Sequence, residues 1–166
     1  MDELRAFADL DGRVALVTGC GSPDGIGFAT ARLLGRQGAK VAITSTTERI
    51  QERVAELGDE GITASGHVAD LTDPDEAARV VAETVEIHGG LAILVNNAGM
   101  SQVGTGDLGR PFAELSPEEW QAGIDQNLNL TANVTRAALA DIAQAEGGRI
   151  VFVTSVSAEM ASIARG

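Results

Sequence analysis

The chain has one cysteine, two histidines and no tyrosine, and its 12 basic residues face 24 acidic ones. Each scarcity closes off a class of function. A single thiol, Cys20, excludes an internal disulfide and any multi-cysteine metal site. Placed in a tight turn, so small a residue reads as a packing choice rather than a reactive group. His67 falls in an expected strand, and His88 at a helix end where its charge suits the dipole. Neither has a second ligand at metal-site spacing, so no metal site is assigned. A formal net charge of −12 repels nucleic acid and anionic membranes. The acidic residues are spread along helical segments, as solvated faces are, with no long block. No apolar run reaches the roughly 18 residues that a membrane span needs. The acidic start MDELRAFADLDG lacks the basic head and apolar run of a signal peptide. A cytoplasmic protein without nucleic-acid or membrane partners is expected.

What is present is a pattern. At 166 residues, 44% hydrophobic and 22% charged, the chain suits one soluble domain with a sizeable core. The stretch VALVTGCGSPDGIG, residues 14–27, organises it. Val14–Val17 reads as a fully buried strand, and FATARLL after the turn as a helix. Strand, glycine turn and helix N-terminus together make an anion site, because glycine lets a pyrophosphate approach unsatisfied backbone N–H groups. A glycine-rich β–α turn of purely structural purpose is the bland alternative.

Taken in order, residues 1–11 suggest a short amphipathic helix through Leu4, Phe7 and Leu10. The first helix should stop at Gly38 in a left-handed cap. Val41–Thr44 is a second strand, and Thr46 or Thr47 can cap a helix carrying Ile50, Val54 and Leu57, closed by Gly58. A third strand spans Ile62–Val68 and ends at Asp70. Thr72, Asp73 and Pro74 open a helix with Ala77, Val80, Val81 and Val85 inward. Leu91–Val95 is a continuous apolar strand running into Asn96-Asn97-Ala98-Gly99. A glycine-rich loop over 100–114 is long enough to suggest function, and its apolar residues Met100, Val103, Leu108 and Phe112 hint at a substrate edge. Ser116-Pro117-Glu118-Glu119 is a capping box that starts a long helix through Trp120, Ile124, Leu128, Val134 and Ala138. Ile150–Thr154 is the last strand. Apolar strands alternating with helices predict an α/β fold of Rossmann type: a doubly wound parallel sheet with helices on both faces.

These motifs, in this order, resemble the short-chain dehydrogenase/reductase family, and most of all its 3-oxoacyl-ACP-reductase-type branch. The resemblance covers about Gly12 to Ser157. It includes the glycine turn Thr18-Gly19 with Gly25-Ile26-Gly27, and Asp70-Leu71 after the third strand, where the family contacts adenine. It also includes the NNAG run, Asn127 on the long helix and Thr154-Ser155 after the fifth strand. Five residues separate Gly19 from Gly25 where the family has three. Gly21 restores the family spacing, so the turn is either longer or shifted in register by two. Ala92 stands where relatives often carry Asp. The family's Tyr-x-x-x-Lys is missing, and with no tyrosine anywhere the chain is expected to be the N-terminal part of a longer enzyme.

The resemblance implies hydride transfer between a nicotinamide and a carbonyl or alcohol on a small-molecule substrate, such as a 3-oxoacyl thioester or another ketone. Ser155 and Asn127 would be the catalytic residues: Ser155 polarises the substrate oxygen, and Asn127 holds a water by breaking its helix's ladder locally. Thr18, Gly19, Gly21, Gly25, Ile26 and Gly27 would hold the pyrophosphate turn. Ser45, Thr46, Asp70, Leu71, Asn97, Ala98 and Gly99 would line the rest of the cofactor pocket, in a single dinucleotide-binding domain over 1–166. NADP(H) is favoured over NAD(H), because Ser45 and Thr46 put no carboxylate at the end of the second strand and Arg49 follows. Asp24 in the glycine turn opposes that preference in part. A homo-oligomer, tetramer or dimer, is expected of the complete protein. Without the tyrosine and lysine these residues should not turn over alone, and the alternative is a dinucleotide-binding module with no turnover.

Overall fold

The computed structural model describes residues 10–99 and 112–155. Five parallel strands form one sheet: β1 (Val14–Val17), β2 (Lys40–Ser45), β3 (Ala64–Val68), β4 (Ile93–Asn96) and β5 (Arg149–Phe152), in the order β3-β2-β1-β4-β5. Helices α1 (Ile26–Arg36), α2 (Ile50–Asp59), α3 (Pro74–His88), α4 (Pro117–Ile124) and α5 (Leu130–Gln144) connect them. A single 3₁₀ turn covers Phe112–Glu114.

Strand alternation splits the core in two. On β1, Val14 and Leu16 join one cluster with Val80 and Val134, while Ala15 and Val17 join the other with Phe28 and Ile50. The first cluster buries α3 and α5 against one face and the second buries α1 and α2 against the other, which is why the strands read as unbroken apolar runs. This is the doubly wound Rossmann arrangement. Beyond β1 the chain first builds β2 and β3 to one side, then crosses back to place β4 on the other. The strand order reverses between β1 and β4, where a crevice opens outside the carboxyl ends.

Several helix ends follow local chemistry. Gly38 takes φ +98, with its N–H on Gly35 O and that of Ala39 on Leu34 O, respectively the five-to-two and six-to-one bonds of a left-handed stop. Asp73 caps α3 by accepting from the Asp75 N–H at 2.8 Å, with Pro74 in the first turn. Ser116 and Glu119 form the expected capping box. Two boundaries differ. The glycine that ends α2 is Gly61 (φ +77), not Gly58, because the helix continues through Asp59 before the N–H of Ile62 returns to Leu57 O. Neither Thr46 nor Thr47 caps α2. Its first residue follows a helical Arg49 with no side-chain cap, and Ser45 Oγ takes the Thr47 N–H at 3.1 Å instead. The third and fifth strands are Ala64–Val68 and Arg149–Phe152, shorter or shifted against Ile62–Val68 and Ile150–Thr154.

The long helix is not continuous. A π segment, Asp125–Asn129, separates α4 from α5. The expected helix over 1–11 lies largely outside the described residues, as does the loop over 100–111. Among the described residues no helix is long and apolar enough to cross a membrane.

Candidate functional site

At the reversal point a cleft of about 550 Å³ opens over the carboxyl ends of β1, β2, β3 and β4. Thr18 ties its two sides together from below. Its buried Oγ1 accepts from the N–H groups of Asn97 and Ala98 at 3.0 and 2.9 Å. The Asn97 amide donates in return to Thr18 O and Gly19 O, at 3.0 and 3.2 Å. The exit of β4 is thus locked to the exit of β1, and Asn97 acts here as a brace.

Glycine keeps the floor open. Gly19 has φ +75, and a Cβ there would stand 2.8 Å from Ala98 Cα. A Cβ on Gly21 would stand 2.7 Å from Ser45 Oγ. On Gly27 it would meet Asn97 Nδ2 at 2.5 Å and Gly19 O at 2.6 Å, so this third glycine lets α1 pack close to the β1 exit. The open question of register resolves accordingly. Gly25 is the N-cap of α1 and Gly27 lies in its first turn, as a helix-opening GIG requires. The two extra residues enlarge the turn before it, where the Gly25 N–H closes back on Ser22 O at 3.2 Å.

Of the residues anticipated for cofactor binding, Gly19, Gly21, Ser45 and Thr46 line the cleft on one side. Asp70, Leu71, Asn97, Ala98 and Gly99 line it elsewhere. Thr18 lies beneath it, and Gly25, Ile26 and Gly27 stand beside it as the helix opening. Arg49 also lines it. Its Nε donates to Thr47 Oγ1 at 3.2 Å, and it has no carboxylate partner among the described residues. Asp24 is exposed in the turn and does not line the cleft. Asn127 sits within the π segment with its Nδ2 on Gly123 O at 2.9 Å, and its Oδ1 would be 3.0 Å from a Cβ on Gly99. The expected local break in the helix ladder is therefore present at Asn127. Ser155 is exposed beyond β5 and does not line the cleft.

Sequence reading missed the far wall. Ala122, Asp125, Gln126 and Leu130 face the cleft from α4, the π segment and α5. The run Asp125-Gln126-Asn127-Leu128-Asn129 was the available signal, since four polar residues in five make a weak helix interior. Asp70 turns back on its own loop, its Oδ1 accepting from Thr72 N and Oγ1 at 3.0 and 2.7 Å.

The thiol and imidazoles lie elsewhere. Cys20 is fully buried with its Sγ toward Val17 O at 3.4 Å, and burial pushes its pKa up to about 12. That is the inert thiol the sequence suggested. His67 and His88 lie on the α3 side of β3. Among the described residues no group of three or more His, Cys, Asp or Glu could hold a metal ion.

The model of the family described as short chain dehydrogenase matches residues 13–166. The chain belongs to that family. Among its relatives, dehydrogenase/reductase SDR family member 4 of Bos taurus is 39% identical over 154 residues, covering 90% of this chain and 51% of the relative. A Sinorhizobium meliloti dehydrogenase/reductase structure superposes with TM-score 0.86 at 31% identity, covering 99% of this chain and 62% of that one. A Burkholderia cenocepacia short chain dehydrogenase solved in complex with NADP gives 0.82 at 35%, covering 95% and 61%. The chain spans about half the length of the curated relatives it matches.

Proposed function

We propose that the chain is the dinucleotide-binding part of an NAD(P)-dependent oxidoreductase acting on a carbonyl or alcohol. The observation that carries this reading is the glycine-floored cleft at the strand-order reversal, where Gly19 and Gly21 let the backbone lie closer to Ala98 and Ser45 than any Cβ would allow. The residues present fit a nicotinamide dinucleotide. Gly21 and the opening of α1 offer backbone N–H groups to a pyrophosphate, while the Gly19 N–H is held by Thr44 Oγ1 at 3.3 Å. Arg49 stands beside Ser45 and Thr46 and forms no ion pair with a carboxylate among the described residues, which favours NADP(H) over NAD(H). The neighbour solved with NADP is consistent with that preference. Asp70 and Leu71 take the base.

When bound, the nicotinamide supplies or accepts the hydride. The Ser155 hydroxyl donates to the substrate oxygen and stabilises charge developing there. Asn127, held in the π segment, retains a water for proton relay. No phenol exists among these 166 residues to exchange that proton. A 3-oxoacyl thioester or another ketone fits this chemistry. The exposed apolar Trp120, Leu128 and Leu139 on the helices support assembly into a dimer or tetramer in the complete protein.

The test is binding and turnover measured together. The 166-residue chain should bind NADP with higher affinity than NAD, yet oxidise no NAD(P)H above background with ketone substrates. Loss of a general acid alone costs on the order of 10² to 10⁴ in rate. Absence of binding sinks the reading, a several-fold tighter affinity for NAD reverses the cofactor preference, and robust turnover shows that another group does the proton work. A protein whose complete form binds but never turns over would favour the second reading, a dinucleotide-binding module.

A further inference from the structure

The π segment leaves one polar atom without a protein partner. Gln126 Oε1 is buried and has no hydrogen-bond partner among the described residues, although Gln126 lines the cleft. Buried acceptors are almost always paired, and one that faces a binding cleft is most simply paired by what the cleft takes up. The helix break sets this geometry. With a five-residue π turn at Asp125–Asn129, Gln126 falls in one column with Ala122 a turn before it and Leu130 a turn after it. Leu71 faces this column across the cleft, and Asn133 of the next turn bonds Leu71 O and Thr72 O at 3.3 and 3.0 Å.

This end of the cleft therefore has apolar walls, from Leu71, Ala122 and Leu130, and an edge of acceptors. Asp70 and Asp125 line it as well as Gln126. Each carboxylate has one oxygen engaged with its own segment: Asp70 Oδ1 with Thr72, and Asp125 Oδ1 with Gln121 and Asn129 at 3.0 and 2.6 Å. Apolar walls suit a flat ring. An edge of acceptors suits a ring that carries N–H donors.

We infer that Gln126 reads the base of the dinucleotide, its amide oxygen accepting a hydrogen from the exocyclic amino group of adenine. The inference rests on the dinucleotide reading of the cleft. Adenine is the ordinary base of these cofactors and its amino group is its one exocyclic donor. Hypoxanthine places a carbonyl oxygen at the same position, setting acceptor against acceptor, and a buried mismatch of that kind discriminates more strongly than a missing apolar contact. Gln126 is thus a specificity-determining residue for the base, separate from the groups assigned to phosphate or hydride.

The experiment is calorimetric titration of the chain with NADP and with its hypoxanthine counterpart, for wild type, Gln126→Met and Gln126→Glu. Methionine keeps the length of the side chain and removes both amide functions, and glutamate keeps an acceptor oxygen. Wild type should prefer the adenine form. The methionine variant should lose roughly three- to tenfold in affinity for it, the range for one neutral hydrogen bond, and gain affinity for the hypoxanthine form, whose carbonyl no longer meets an acceptor. The glutamate variant should keep the base preference while binding both forms more weakly, by charge. Ligand-free melting should leave the methionine variant at least as stable as wild type, since an unmatched acceptor has gone. A methionine variant that retains the wild-type base preference overturns the inference, with the dinucleotide site intact. A wild-type chain that binds neither compound overturns the dinucleotide reading itself.

Discussion

Two polar clusters lie on this sheet, and they are opposites. On the α3 side of edge strand β3, Ser65, His67, His88 and Glu83 form a closed chain of hydrogen bonds. Ser65 Oγ lies 2.9 Å from His88 Nε2 and 3.0 Å from His67 Nε2, and His67 Nδ1 lies 2.8 Å from Glu83. With His67 neutral, one assignment satisfies every contact: His88 donates to Ser65, Ser65 to His67, and His67 to Glu83. Arg79 binds the far side of Glu83 at 2.9 and 3.1 Å. The cluster holds a serine, two imidazoles and a carboxylate, yet each is committed to another and both histidines are buried. The cleft at the carboxyl ends has few ionisable groups, but its glycines leave backbone exposed and Gln126 leaves an acceptor open. Chemistry-bearing residue types therefore mark the wrong place. Uncommitted groups around empty space mark the right one.

The sharpest way to break this contrast is to fill the cleft. Gly21→Val should weaken NADP binding by at least about tenfold, about 1.4 kcal/mol, read by calorimetry, since its Cβ enters space next to Ser45 Oγ. Melting should fall modestly: Gly21 does not adopt a left-handed φ, but Ser45, whose Oγ takes the Thr47 N–H and whose Cβ would lie 3.2 Å from the new Cβ, must shift. The closed cluster should behave the other way. Ser65→Ala strands two buried imidazole nitrogens and should cost about 1–3 kcal/mol in denaturant unfolding while leaving NADP affinity unchanged.

A third expectation concerns pH. Burial, then the positive charge of Lys40 and that of His67 when it is protonated, holds His88 below the ordinary histidine range. The unfolded chain then takes up a proton near pH 6.5 that the folded chain refuses, so stability is full above that pH. It falls as pH drops toward the lowered folded value, by no more than about 1.4 kcal/mol per pH unit for one proton. The carboxyl of Glu83, lowered by its bond to Arg79 and then by His67, acts in the same direction but at more acid pH. Urea unfolding at pH 7.5 and 5.5 isolates the imidazole, and His88→Gln should flatten the difference. An equal pH dependence in that variant would remove His88 from the account.

The smallest effect tests cofactor choice within the cleft. Arg49→Ala should weaken NADP severalfold and NAD hardly at all, a gap that narrows with added salt, as expected for one exposed charge. Equal loss for both cofactors would move the 2′-phosphate away from Arg49.

Much of this was legible in the sequence, and the failures have physical causes. The fully buried runs Val14–Val17 and Leu91–Val95 announced a parallel sheet, because covering both faces removes alternation. Gly38 announced a helix stop because a left-handed residue is needed there. Gly58 misled because a glycine one turn from the end is tolerated inside the helix, and Gly61 supplies the positive φ. Thr46 and Thr47 looked like caps, but Ser45 Oγ captures the Thr47 N–H before the helix begins. Within the site, the strand-end residues were readable because each follows directly from a strand. The α4–α5 wall was not. A π turn shifts the phase of every residue after it, so a 3.6-residue period carried through Trp120 to Ala138 misplaces Gln126 and Leu130.

The most direct test of the central claim, that the glycine-floored cleft and not the histidine cluster takes the dinucleotide, is one set of calorimetric titrations with NADP. Wild type, Gly21→Val and Ser65→Ala are compared at one pH and salt concentration. The account predicts saturable one-to-one binding for wild type, the same affinity for Ser65→Ala despite its lower stability, and at least a tenfold loss for Gly21→Val. Wild-type affinity in a folded Gly21→Val chain, or loss of binding in a folded Ser65→Ala chain, would contradict it.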